Sequence, residues 1–338
     1  MTRIAILGAG SWGTALSVVL SRARKPHEIS LWARNAELAE TLCRQRENTA
    51  YLTGVRLPDG IRATHDMPKA LAGADIVIGA MPSVHARAVY TQALPAITKE
   101  MIFVSATKGL EPETHLRMSS VLAQVLVKAG TAEPSQRIAV LSGPSFAEEA
   151  ARGEPTAVVL AARDQALASH LQEELSGSSF RLYTNDDMLG VELAGAMKNV
   201  IAIAAGACQG LGLGSNPLAA LITRGLAEMM RLAAALGARP ETQSGLAGLG
   251  DLVLTCTGAL SRNRHVGVEL GKGCKLPEIL AEMRMVAEGV DTAAPLLALA
   301  REHGIEMPIT EQVDAILHRG QLPKEAIREI MDRPLRRE

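Results

Sequence analysis

The sequence is short of cysteine, of net charge and of repetition, and each shortage removes a class of protein. Cysteine occurs four times, as Cys43, Cys208, Cys256 and Cys274. These are scattered, with no C-x-x-C spacing and no histidine at zinc-ligand distance. Neither a disulfide framework nor a metal site is indicated, and a reduced, cytoplasmic setting fits. Lysine and arginine number 35 against 36 aspartates and glutamates, a net charge of -1 without long like-sign runs. That balance argues against a nucleic-acid scaffold or a basic membrane-surface patch, while a small neutral or anionic ligand stays open. No internal repeat or low-complexity segment stands out.

What is present describes a globular chain. The 338 residues exceed what one hydrophobic core usually supports, so two domains are expected, with one large α/β domain as the alternative. Hydrophobic residues make up 47% and charged ones 21%, which excludes a disordered or fibrous chain. Arg3 followed by the apolar stretch Ile4 to Leu20 could pass for a signal peptide. Gly8, Gly10 and Gly13 would weaken its helix, however, and Ser21-Arg22-Ala23 is a poor cleavage site, so the mature chain is expected to begin at residue 1 or 2. No membrane span is expected.

Short β-branched runs at residues 4–7, 29–32, 76–78, 102–104, 138–141 and 157–160 lack alternating polarity and read as buried strands of a mostly parallel sheet. Between them lie helical stretches with start signals: Ser83 before Val84 to Leu94, Thr114 before Leu116 to Ala129, and Ser145 before Phe146 to Ala151. This βαβ order predicts a Rossmann-like doubly wound domain over residues 1–187. From Met188 onward helical periodicity dominates. The expected helices are Met188 to Cys208, Pro217 to Leu236 with Pro at its first position, Asn263 to Leu270, Thr292 to His303, Thr310 to Leu317 and Lys324 to Met331. Residues 188–338 therefore read as an all-helical second domain, ending in a solvated tail at 333–338.

Gly8-Ala9-Gly10-Ser11-Trp12-Gly13 follows a predicted strand and opens a predicted helix, the context in which G-x-G-x-x-G carries meaning. Gly8 permits the tight turn, Gly10 lets the backbone approach a diphosphate, Gly13 allows close helix–strand packing, and the helix N-terminus attracts the anion. A glycine-rich turn without ligand is the bland alternative. The second strand runs into Ala33-Arg34, with no carboxylate to grip ribose hydroxyls. Arg34 suits the adenosine 2′-phosphate, which favours NADPH over NADH; a solvated strand-end arginine is the alternative.

Four further clusters place polar groups in apolar surroundings. Ser105 to Gly109 and Ser142 to Ala147 follow strands at their carboxyl ends, where ligands sit in open α/β sheets. Lys198-Asn199 interrupts an apolar helix, and Gly248 to Asp251 with Ser261 to Arg264 bracket a loop, the latter at a helix N-terminus suited to an anion. Singly, Lys198 could snorkel, Asp251 could cap a helix and Arg262 could be a surface charge. Together they suggest a desolvated lysine of lowered pKa that protonates a developing alkoxide, as carbonyl reduction by hydride requires.

The chain resembles the bacterial NAD(P)-dependent glycerol-3-phosphate dehydrogenases over nearly its whole length. The resemblance rests on Gly8 to Gly13 with Trp12, Ser105 to Glu111, Leu141 to Ala147, Glu192 to Val200, Gly245 to Asp251 and Ser261 to Arg264. It implies Lys198 as the general acid/base, with Lys108, Gly143, Ser145, Asp251, Ser261, Arg262 and Asn263 around a phosphorylated substrate. It also implies Ser11, Trp12, Arg34, Lys108, Ala147, Arg262, Val286 and Glu288 as cofactor contacts. The implied reaction is the reduction of dihydroxyacetone phosphate by NADPH or NADH, in a homodimer whose product feeds phospholipid synthesis. Thr53, Ser215, Pro217 and Gln243 depart from the family pattern, none in a catalytic role. Two other readings compete: a β-hydroxyacid dehydrogenase, which Ser261-Arg262-Asn263 disfavours, and a catalytically silent NADP(H)-binding regulator.

Overall fold

The computed structural model describes residues 1–335, so the last three residues of the expected tail lie outside it. Two compact units emerge: one of residues 1–111 and 116–192, the other of 112–115 and the chain from Leu193 onward. The first unit is built on an eight-stranded sheet. Its strands are β1 (Thr2–Leu7), β2 (His27–Trp32), β5 (Ile61–Thr64), β6 (Ile76–Gly79), β7 (Ile102–Ser105), β8 (Ile138–Ser142), β9 (Thr156–Ala162) and β10 (Phe180–Asn185). Two further short strands, β3 (Glu47–Asn48) and β4 (Leu52–Arg56), pair separately with each other.

The sheet order is β10-β9-β8-β7-β6-β1-β2-β5, and every pairing is parallel except β8 with β9. All six expected strands are present, because Ile4, Ile6, Ile78, Val104, Leu141 and Leu160 on one face of the sheet and Ala5, Leu7, Val77, Phe103 and Val140 on the other are all buried. β5 and β10 were not anticipated. Both lie at sheet edges and alternate buried with more exposed residues at their starts, so neither carries a continuous apolar run.

Seven helices accompany the sheet: α1 (Ser11–Leu20), α2 (Ala36–Gln45), α3 (Met67–Leu71), α4 (Ala86–Ala93), α5 (Met118–Lys128), α6 (Ala147–Arg152) and α7 (Gln165–Leu175). None of the three expected start signals works as a cap. Ser83 opens a 3-10 turn ahead of α4, and Ser145 directs its hydroxyl to the Gly143 carbonyl. Thr114 is likewise not the cap of α5. The acceptor there is Glu192, which takes the Ser119 amide at 2.7 Å and the Ser119 hydroxyl at 2.6 Å while paired with Arg117 at 2.5 Å. A carboxylate from 73 residues away thus satisfies a first-turn donor that no local side chain reaches.

The second unit is helical, with no strand among its described residues. α8 (Met188–Gly210) leads into α9 (Ser215–Ala235), α10 (Pro240–Ser244), α11 (Asp251–Thr257), α12 (Arg262–Gly271), α13 (Leu276–Glu282), α14 (Glu288–Glu302), α15 (Pro308–His318) and α16 (Pro323–Met331). α9 starts two residues before Pro217, and α14 starts four before Thr292, with Pro295 accommodated inside it. Residues 199–223 carry no charged side chain, and α8 has the length and composition of a membrane span. It is nevertheless a core helix: Val191, Leu193, Met197, Val200 and Ile201 are fully buried against protein. Gly206 and Gly210 let α12 approach α8 closely, since a Cβ on Gly206 would meet the Val268 amide at 2.8 Å.

Candidate active site

Within the first unit, the strand order reverses at β1, with β2 on one side and β6 on the other, and the glycine-rich turn leaves β1 at that switch point. Each glycine there has its own physical situation. Gly8 has φ +118, and a Cβ on it would lie 2.7 Å from the Ala80 carbonyl oxygen. Gly13 faces the Gly8 carbonyl so closely that any Cβ would collide with it. Gly10 has an ordinary φ of -74 and nothing within 4 Å of an added Cβ. The protein itself therefore requires glycine at 8 and 13 but not at 10, which leaves the approach of a ligand as the reason for that residue. Gly10 caps α1 with no side-chain acceptor, so the first-turn donors face outward.

The Gly8 amide donates to the Trp32 carbonyl at 3.1 Å, which sets the end of β2 beside the glycine turn. Arg34 follows two residues later, exposed and without an ion pair among the described residues. Ser11 and Trp12 open α1, and Ala147 opens α6. The loop after β7 carries Lys108, whose Nζ donates to the Gly143 carbonyl at 2.9 Å; the Ser145 hydroxyl donates to the same oxygen at 2.9 Å. Three expected substrate contacts are thus neighbours. Gly143 has φ +132 and a Cβ there would sit 3.1 Å from Val158 Cα, so only glycine gives this turn. Arg87 holds the Lys108 loop through a bidentate pair with the buried Glu111, at 2.7 and 2.6 Å.

Within the second unit, Lys198 is buried on α8. Its ammonium donates to Asp251 Oδ1 at 3.0 Å and to Thr255 Oγ1 at 2.8 Å. Asp251 and Thr255 stand one turn apart on α11, so one helix face presents both acceptors. Sequence reasoning found Asp251 but missed Thr255; the i, i+4 spacing was the available signal. Asn199, next along α8, accepts from Asn263 Nδ2 at 2.9 Å, and Asn263 Oδ1 accepts the Gly289 amide at 2.8 Å. The expected substrate contact Asn263 therefore already has bonds at both ends of its amide.

Ser261 caps α12 by accepting the Arg264 amide at 3.2 Å, which places Arg262 in the first turn. Burial pulls the Arg262 guanidinium below its ordinary pKa, while the charge of Glu288 acts in the opposite direction. The guanidinium forms no hydrogen bond or close ion pair among the described residues. A partly buried cation at a helix N-terminus suits an anion. Val286 lies in the segment just before α14, and Glu288 opens that helix.

Sequence models of one family match both units: the NAD-dependent glycerol-3-phosphate dehydrogenase N-terminus over residues 3–168, and the C-terminus over residues 187–328. The glycerol-3-phosphate dehydrogenase [NAD(P)+] of Koribacter versatilis is 54% identical over 335 residues, covering 99% of this chain and 98% of the relative. That of Geobacter sulfurreducens is 50% identical over 336 residues, with 99% and 98% covered. Among solved structures, glycerol-3-phosphate dehydrogenase from Coxiella burnetii superposes with a TM-score of 0.91 at 42% identity, covering 98% of this chain and 99% of that one.

Proposed function

The chain belongs to the NAD-dependent glycerol-3-phosphate dehydrogenase family, and we propose Lys198 as the general acid/base of its reaction, the reversible reduction of dihydroxyacetone phosphate to sn-glycerol 3-phosphate with NAD(P)H. The observation that carries this assignment is the buried Lys198 ammonium, oriented by Asp251 and Thr255. NAD(P)H, when bound, supplies the hydride. Lys198 Nζ gives a proton to the carbonyl oxygen as negative charge develops there, and takes it back in the reverse direction. Asp251 and Thr255 keep the ammonium in place, so no reorientation is needed as charge builds. Arg262 binds the substrate phosphate, with Lys108, Gly143, Ser145, Asp251, Ser261 and Asn263 completing the substrate contacts.

The residues fit the cofactor. The open space over Gly10 and the donors of the first turn of α1 suit the diphosphate, with Gly8 and Gly13 shaping the turn. Ser11, Trp12, Arg34, Lys108, Ala147, Arg262, Val286 and Glu288 are the proposed contacts, and Arg34 is the reason to favour NADPH. The sheet-bearing residues up to 187 are proposed for the cofactor and the helical residues from 188 for substrate and catalysis.

The family leaves no place for the β-hydroxyacid reading. NADPH oxidation assayed with dihydroxyacetone phosphate, with β-keto acids and without substrate tests the activity: turnover with dihydroxyacetone phosphate alone is expected, and binding without turnover would restore the silent regulator. We place the enzyme in the cytoplasm, supplying phospholipid synthesis and working without membrane or nucleic-acid partners. Homodimer formation is supported by exposed apolar side chains on the helical unit, Leu213, Leu249, Val253 and Leu260, and sedimentation velocity tests it.

A further inference from the structure

Asn48 belongs to no motif that the function absorbs, yet its side chain is fully buried and fully bonded. It sits at the end of β3, where Tyr51 folds back and donates its amide to Asn48 Oδ1 at 3.1 Å. Its nitrogen makes two bonds to a part of the chain far away in sequence: Nδ2 donates to the Ala9 carbonyl at 3.0 Å and to Thr14 Oγ1 at 2.7 Å. One amide thereby grips the glycine-rich turn on both sides of Gly10. The orientation of this amide is fixed by its partners, since a carbonyl accepts only and the Tyr51 amide donates only.

The Ala9 carbonyl belongs to the same peptide as the Gly10 amide. No cis peptide occurs among the described residues, so in that peptide C=O and N–H point in opposite directions. Holding the Ala9 oxygen inward against Asn48 turns the Gly10 N–H outward. That N–H makes no hydrogen bond among the described residues, and it belongs to the one glycine of the turn whose Cβ position is open. The Thr14 contact fixes the first turn of α1 in the same frame, so donors of the turn and of the helix are aligned together.

We infer that Asn48 is a positioning residue for the cofactor: it presets the peptide plane of the glycine-rich turn so that the Gly10 amide faces the diphosphate. The inference rests on the reading of Gly8 to Gly13 as the diphosphate cradle. It concerns binding, so calorimetric affinity for NADPH is the readout, with adenosine 2′-monophosphate, which has no diphosphate, as comparison ligand by ligand-observed NMR. In Asn48→Ser and Asn48→Asp the Kd for NADPH is expected to rise about tenfold or more, with the Kd for adenosine 2′-monophosphate changed less than twofold. An equal loss for both ligands, or an unchanged NADPH Kd in folded protein, overturns the inference. Should the Asn48 variants fail to fold, Thr14→Val removes one acceptor and leaves Asn48 in place. A rise of about threefold for NADPH alone is then expected, and no rise overturns it. Gly10→Ala separates the two levels, because the protein has room for that methyl. If it leaves NADPH affinity intact, the cradle reading fails and this inference with it. If it weakens NADPH while the Asn48 and Thr14 variants do not, only the role of Asn48 falls.

Discussion

Asn263 donates its side-chain amide to Asn199 at 2.9 Å, and this bond joins the residue after Lys198 to the residue after Arg262. The Gly289 amide, donating to Asn263 at 2.8 Å, brings in the residue after Glu288. Three helices that each carry a proposed site residue are thus tied through their next neighbours, so a displacement of one is transmitted to the others.

Gly289→Ala tests that junction. A Cβ there would lie 2.6 Å from the Asn199 carbonyl oxygen and 2.9 Å from Asn263 Oδ1, so the backbone or the amide must move. The expected cost is roughly 1–3 kcal/mol of stability from overpacking, together with a raised KM for dihydroxyacetone phosphate. Thermal melts and steady-state kinetics check it; a variant that melts and binds like the parent would show that the close approach is dispensable.

Lys198→Ala removes the proposed proton donor. kcat should fall by roughly a hundredfold or more while NADPH still binds, the usual scale for a general acid/base. Asp251 then stays buried without its Lys198 partner, and breaking such pairs costs about 3–5 kcal/mol, so kinetics are read well below the melting temperature of the variant. A kcat near the parental value would remove Lys198 from the chemistry.

Arg262→Ala should raise KM for dihydroxyacetone phosphate by well over tenfold and erase most of the preference over unphosphorylated dihydroxyacetone. A partly buried guanidinium with no hydrogen bond among the described residues has its interaction energy available for a dianion. Because Arg262 is also a proposed cofactor contact, NADPH affinity is measured separately. Retained discrimination between the two substrates would move the phosphate anchor to Lys108 or Asn263.

Arg34→Ala should weaken NADPH by roughly tenfold to a hundredfold and NADH much less, since a charge-assisted pair contributes about 1.5–3 kcal/mol and only NADPH carries the 2′-phosphate. Equal losses for both cofactors would return Arg34 to an ordinary exposed arginine.

What the sequence revealed and what it hid follow from range. The central strands were legible because burial on both faces writes a continuous apolar run, as in Ile76 to Ile78. The glycine turn was legible because φ and close approach restrict residue type locally at Gly8 and Gly13. Partners distant in sequence were not legible. Glu192 serves α5 across 73 residues, and Asn48 reaches Ala9 across 39, with no local pattern to mark either. The helix starts failed for the same reason: Ser83, Thr114 and Ser145 are good cap residues by type, but distant acceptors or other geometry prevailed.

Thiol reactivity gives a separate check on the core around Lys198. Cys43 and Cys274 are exposed, and Cys208 and Cys256 are buried. Alkylation proceeds through the thiolate, so a thiol whose pKa is raised reacts more slowly at a given pH. Burial pushes Cys256 up to about 12, with the Lys198 charge pulling it down and the Asp251 charge pushing it up. Desolvation raises Cys208 as well. At pH 8 the native protein should therefore label at its two exposed positions, Cys43 and Cys274, and the two buried thiols should label only after unfolding. Cys274 is itself raised, by desolvation first and then by the Glu269 carboxylate, so its rate should climb as pH increases and should increase at pH 8 in Glu269→Gln. Mass spectrometry of iodoacetamide-treated protein resolves the four sites. Native-state labelling of Cys256 at the rate of Cys43 would mean that α11 opens readily, and with it the seat that holds the Lys198 ammonium.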